Sequence, residues 1–246
     1  MAQLSKISFS NGLFAEAIQL ETSTSMAFVL QRLGLEGQHP ALVLIGGASK
    51  MSAVNLKRLE KLFVEVLAPI AQKWQAVVID GGTDAGVMRL IGQARHATHA
   101  NFPLVGIVPC GLAALPDQIA TSSDAAPLEP HHTHFLLVPG SNWGDETVLM
   151  DDLASAVAGS ASVTILVNGG EITWKEASQS VEADRPIIVI AGTGRTADIL
   201  AAALHGNSED ERAASLAASG LVRAIDLDTG TETLAAMIDD IFAAKS

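Results

Sequence analysis

The chain has 246 residues, with 15 Lys+Arg against 27 Asp+Glu, a formal net charge of −12, 48% hydrophobic and 17% charged residues. That apolar mass excludes intrinsic disorder, and the excess of negative charge argues against a general binder of a nucleic-acid backbone. The lone Cys110 excludes an internal disulfide and a cysteine-based zinc site.

Tyr is absent and aromatics are 4% of the chain, which speaks against a stacking platform for single strands. The start, MAQLSKISFSNGLF, has no basic segment followed by an apolar run, so no secretory signal is expected. No apolar run reaches the ~18 residues of a membrane span. A cytoplasmic protein is the expectation.

Residues 1–40 read as an antiparallel pair, Lys6–Phe9 with Phe14–Leu20, then a helix capped within Ser23 to Ser25. This is an N-terminal extension to a core over 41–246, the whole forming a single domain. Ala41–Ile45 is the first apolar run, ending in Gly46-Gly47. Met51–Ala71 then carries Leu59, Leu62, Phe63, Val66 and Ile70 at helical spacing. Ala76–Ile79 ends in Asp80-Gly81-Gly82, before a helix over Thr83–Ala97. Leu104–Val108 and Phe135–Val138 follow, the latter ending in Pro139-Gly140. Between them, Cys110–His134 reads as an irregular surface excursion with room for a short helix. Val163–Val167 ends in Asn168-Gly169-Gly170, and Ile187–Ala191 in Gly192-Thr193-Gly194. Val222–Ile225 precedes a last helix near Thr231–Ala243. Consecutive apolar positions suit strands covered on both faces, and their alternation with helices implies a mainly parallel, doubly wound α/β sheet of Rossmann-like form.

Ligands of such sheets collect at the carboxyl ends of strands, near a topological switch point. Gly46, Gly47, Gly81, Gly82, Gly86, Gly140, Gly169, Gly170, Gly192 and Gly194 fall at that edge. One glycine pair is explained by a tight turn, whereas so many at one edge favour a phosphate- or nucleotide-sized guest at helix N-termini. Polar groups join them: Thr83 as a helix-capping hydroxyl, Asn142, Glu171, Thr193, and Arg195 with a guanidinium suited to phosphate. Asp198 could instead tie down Arg195 by an i,i+3 pair. His131, His132 and His134 lack a nearby Cys or an obvious carboxylate partner. No metal is expected there; the histidines are expected to take a polar role beside a ligand, the reading assigned to His134, or a plain strand-entry role. No G-x-G-x-x-G, P-loop or nucleophile elbow is present.

Three segments, in order, carry a resemblance. They are Gly81-Gly82-Thr83-Asp84-Ala85-Gly86-Val87-Met88, His132-Thr133-His134-Phe135-Leu136-Leu137-Val138, and Arg185-Pro186 through Gly192-Thr193-Gly194-Arg195-Thr196-Ala197-Asp198-Ile199-Leu200. The chain resembles the SLOG superfamily, LSDAT type. Within it, the likeness is to the cytosolic N-terminal ligand-sensing domain of melastatin-type TRP channels and its stand-alone prokaryotic relatives. The resemblance implies a pocket for a nucleotide-derived ligand of the ADP-ribose or NAD-metabolite class, in a sensor standing alone rather than a channel. No cofactor is required. No nucleic acid and no membrane span are expected, and a homo-oligomer stays open.

The same superfamily includes phosphoribohydrolases with a P-G-G-x-G-T-x-x-E pattern. Here Asn168-Gly169-Gly170-Glu171-Ile172-Thr173-Trp174-Lys175-Glu176 aligns with it, departing at Asn168 and Ile172. Glu176 matches the acidic position, so the alternative is an N-glycosidic hydrolase of nucleoside monophosphates or NAD derivatives using Glu176. No other catalytic residue is assigned. A third reading is an interaction module with a vestigial cleft.

Overall fold

Runs that are apolar at every position need cover on both faces, and here the cover is helical. The computed structural model describes residues 3–47, 53–116, 118–119, 122–159 and 161–244. In chain order they form β1 (Gln3–Ser8), β2 (Phe14–Gln19), α1 (Met26–Leu33), β3 (Ala41–Gly46) and α2 (Ala53–Leu62). A π-helical turn (Phe63–Leu67) continues α2 into α3 (Ala68–Trp74). Then come β4 (Val77–Asp80), α4 (Gly86–Ala97), β5 (Leu104–Pro109), the two-residue strands β6 (Ala113–Ala114) and β7 (Ala126–Pro127), and β8 (His134–Val138). The last part holds α5 (Thr147–Ala158), β9 (Ser162–Val167), α6 (Glu171–Glu182), β10 (Ile187–Ala191), α7 (Arg195–Ala203), α8 (Glu211–Ala218), β11 (Val222–Asp226) and α9 (Thr231–Ala243).

Nine strands make the main sheet, in the order β1-β2-β8-β5-β4-β3-β9-β10-β11. Every neighbouring pair is parallel except β1 with β2. From β3 the chain adds β4, β5 and β8 on one side, then returns to add β9, β10 and β11 on the other. The order therefore reverses between β3 and β9, which pair from Ala41 opposite Ser162 to Gly46 opposite Val167. This is the doubly wound, Rossmann-like sheet expected. All seven apolar runs are strands of it.

Side-chain alternation divides the core. Val43, Ile45, Ile79 and Val189 pack beneath Leu153 of α5, Ala177 of α6 and Leu200 of α7. Leu42, Leu44, Val78 and Ile188 pack on the other face beneath Phe63, Leu67, Ile91 and Phe242. Burying one such side chain contributes ~1.5–3 kcal/mol.

Three local details differ from the expectation. The N-terminal pair is continuous with the main sheet: β2 runs parallel to β8, and Ile7, Ala15 and Ala17 share a small core with Phe135 and Leu137. Thr83 does not cap α4. The residue before that helix is Ala85, and Thr83 is buried, bridging the backbone of Leu128. The excursion after β5 holds no helix among the described residues, only the β6–β7 pair. Ser25 caps α1 as expected, its hydroxyl accepting from the Phe28 N–H. Met51 and Ser52, which begin the second expected helix, lie outside the described residues.

Candidate functional site

The glycine corners do gather at one edge of the sheet, but many of their groups are spent on one another. A Cβ on Gly46 would collide with the Val167 carbonyl oxygen, so only glycine lets β3 end this close to β9. Gly82, at φ +65, faces the Cα of Gly106 with Val108 and Phe135 rather than open space. The Gly47 N–H donates to the Val167 carbonyl. Those of Gly82, Gly170 and Gly192 donate to Asp80 Oδ1, Thr173 Oγ1 and Asp198 Oδ1. The Asn142 N–H, with that of Ser141, donates to Asp145 Oδ2, and the same carboxylate fills the space beside Gly140. Free corner amides are therefore fewer than the glycine count implies.

The β9 and β10 corners are latched together. Asn168 donates its N–H to Thr193 Oγ1 (2.8 Å) and its Nδ2 to the Thr193 carbonyl (2.6 Å), while Thr193 donates to the Ile190 carbonyl. Gly169 sits against Thr173 and Thr196, and Gly194 against the Asn168 amide. The Arg195 guanidinium lies over Gly170 and forms no ion pair among the described residues. The alternative i,i+3 partner, Asp198, accepts the Gly192 N–H instead. Glu171 turns away: it pairs with Arg212 (2.8 Å), whose guanidinium stacks on Trp174. Gly86 opens α4 at φ +50.

His134 stands apart. It begins β8, so it lies at the amino end of the parallel strands, across the sheet from the corners. Its Nδ1 meets Thr133 Oγ1, and burial lowers its pKa.

At the carboxyl ends of β3 and β4 lies a cleft of about 420 Å³. Of the expected residues, Gly46, Gly81, Thr83 and Glu176 line it. Met88, Trp143 and Ile172 supply apolar walls, and Asp124 and Glu146 join Glu176 as acids. The reversal of strand order supplies the crevice: α2 and its continuation leave β3 toward one face and α6 leaves β9 toward the other.

Glu146 is 6% exposed, and one carboxylate oxygen accepts the Gly144 N–H at 2.7 Å. Burial raises its pKa, as does the neighbouring Asp145 charge. Glu176 is half-buried and forms no hydrogen bond among the described residues. Burial first, then the Glu146 charge, push its pKa up to about 8. Lys175 opposes both shifts while donating to the Gly144 carbonyl. Behind Glu176 a space of about 10 Å³ adjoins Thr147 and Gln179, whose buried Oε1 has no partner. That is room for about one water.

A second acid cluster abuts the β4 turn. His132 is buried, with Nε2 donating to Asp80 Oδ1 and Nδ1 to Glu129 Oε2, both at 2.9 Å. Glu129 also accepts from the His131 N–H and pairs with His131 Nδ1. Burial alone would lower the His132 pKa. The charges and hydrogen bonds of Asp80 and Glu129 outweigh it and raise the value to about 9. The histidine run is thus a structural clasp. The sequence signals for it were present in the Asp80 turn and the E-P-H-H step, but not their meeting.

A doubly wound sheet with a cleft where its strand order turns back defines the Rossmann-like class. The chain belongs to the family described as "SLOG in TRPM, prokaryote", which it matches over residues 39–236. It is similar to Transient receptor potential cation channel subfamily M member-like 2 of Nematostella vectensis, at 25% identity over 213 residues, covering 71% of this chain and 14% of that protein. It is also similar to member 2 of subfamily M from Mus musculus (22% over 223 residues; 75% and 15%) and member 7 from Homo sapiens (26% over 236 residues; 80% and 12%). The chain thus spans only a small share of the length of these channels. No helix among the described residues is long and apolar enough to cross a membrane. Membership of this family supports a ligand-sensing or nucleotide-related role.

Proposed function

We propose that this domain senses a nucleotide-derived small molecule of the ADP-ribose or NAD-metabolite class, bound in the cleft at the carboxyl edge of the sheet without any cofactor. The observation that carries the reading is the cleft itself, at the strand reversal of a family member and lined by Gly46, Gly81 and Thr83. Arg195, over Gly170 and without an ion pair among the described residues, is the nearby cation suited to a phosphate. Isothermal titration with ADP-ribose, NAD, cyclic ADP-ribose and AMP tests it. Saturable heat with at least one is expected, and none up to millimolar concentration ends the proposal.

One observation favours a second reading. Glu176 lines the same cleft with its pKa near 8, the poise of a proton-transferring group at neutral pH. On this reading the domain hydrolyses an N-glycosidic bond of a nucleotide. Chromatography of a nucleotide panel after incubation decides it, and turnover unchanged in Glu176→Ala removes the residue's role.

A further inference from the structure

The cleft selects by charge, and its lining is one-sided. Asp124, Glu146 and Glu176 stand on it with the hydroxyl-bearing Thr83 and Thr173. No Lys, Arg or His does among the described residues. A phosphate placed among these acids would meet like charge in a partly dry space, where repulsion is strong. A sugar hydroxyl would meet acceptors instead. Glu146 is held by the Gly144 N–H through one oxygen, and Glu176 has no hydrogen-bond partner among the described residues. A carboxyl group shielded from water and without partners is costly, and a donor supplied by a ligand relieves that cost. Trp143, among the residues lining the cleft, supplies apolar surface for the carbon side of a sugar.

We propose that Glu146 and Glu176 are specificity-determining residues that take the phosphate-free terminal sugar of the ligand into the cleft and turn its phosphates outward. This rests on the ligand reading above and deepens it by fixing which end enters. The charged groups around the pair are consistent with it. Asp145 adds negative charge before α5, Asp124 does so from the excursion, and β3, β4 and α4 present only Leu44, Ile45, Gly46, Gly81, Ala85 and Met88. Lys175, the nearest cation on α6, is committed to the Gly144 carbonyl. The raised pKa of Glu176 agrees, since a protonated carboxyl beside an ionised one can donate to and accept from neighbouring hydroxyls.

The test is calorimetric titration of the full chain with ADP-ribose, with ADP, and with ADP-ribose phosphorylated on its terminal sugar. ADP-ribose is expected to bind about tenfold or more tightly than either comparison, the margin of one or two charge-assisted hydrogen bonds. Glu146→Gln and Glu176→Gln, nearly equal in shape to the parent residues, are expected to bring the ratio of ADP-ribose to ADP affinity toward one. Equal binding of ADP-ribose and ADP by the unaltered protein overturns the proposal, as does a ratio unchanged in both variants. No heat with any of the three overturns the orientation, and the ligand reading falls with it when NAD, cyclic ADP-ribose and AMP also give none. Binding without discrimination overturns the orientation alone. The ratio in the unaltered protein stands even where a variant fails to fold.

Discussion

Two pairs of acids, three of the four buried and Glu176 half-buried, are handled in opposite ways. Asp80 and Glu129 clasp His132 from both sides, and each carries a hydrogen bond at 2.9 Å to its ring. Glu146 and Glu176 face a cleft, where backbone N–H groups of Gly144 and Glu146 itself serve the Glu146 carboxylate and no hydrogen bond serves Glu176 among the described residues. Compensated charge holds elements together, here joining β4 to the approach to β8. Uncompensated charge raises its own pKa and leaves bonding capacity for something else. The contrast separates the acids that clasp the fold from those with bonding capacity left over.

Removing the clasp is the most damaging way to break this contrast. His132→Ala leaves two buried carboxylates facing each other and is expected to destabilise the fold by about 3–5 kcal/mol in urea unfolding. Glu176→Gln is expected to leave stability at neutral pH equal or higher, because it deletes a group that resists ionisation. Next is Gly82→Ala, where a Cβ meets the Gly106 backbone at 2.9 Å with φ at +65. A loss of about 1–3 kcal/mol is expected, read as a lower denaturant midpoint.

A pH series sharpens the comparison further. His132 has a folded pKa of about 9 against an ordinary 6.5. Its contribution is whole below 6.5 and disappears as pH rises through 9. Glu176, about 8 against 4.5, likewise loses its share as pH rises, but over the lower window from 4.5 to 8. Glu129 is shifted down by His132 and His131 against the opposing effect of burial, so its share is lost as pH falls below the ordinary carboxylate range. Stability followed from pH 4.5 to 9 should decline in both upper windows. Glu176→Gln should flatten only the lower one. The smallest effect belongs to Lys61→Ala, whose exposed pair with Glu65 one helical turn on is expected to leave the melting temperature unchanged within error.

The strands were legible because consecutive apolar positions report cover on both faces; Ala41–Ile45 does so without interruption, and Val163–Val167 is broken only by Thr164. The attachment of β2 to β8 was hidden, since Phe14–Gln19 alternates like any solvent-facing hairpin. Glycine marked the corners correctly but not their purpose. Gly46 and Gly82 serve close packing, and nothing in a run of glycines reveals which amide protons are already bonded. Thr83 looked like a cap because it precedes a helix, yet its bridge to Leu128 depends on a segment 45 residues later, as numbered. The His132–Asp80 contact spans 52 residues and left no local trace. His134 lies away from the glycine corners for a simpler reason: it starts a strand, whereas the corners lie where strands end.

The seam between β3 and β9 also governs how the chain comes together. Ala41 must wait for Ser162, about 120 residues later, before the middle of the sheet closes. A nascent chain stopped before β9 would hold β3 as a bare, strongly apolar border, open to pairing with other chains. The crevice therefore lies on one of the longest-range joints of the sheet, and folding rate and aggregation during synthesis should respond to changes along it.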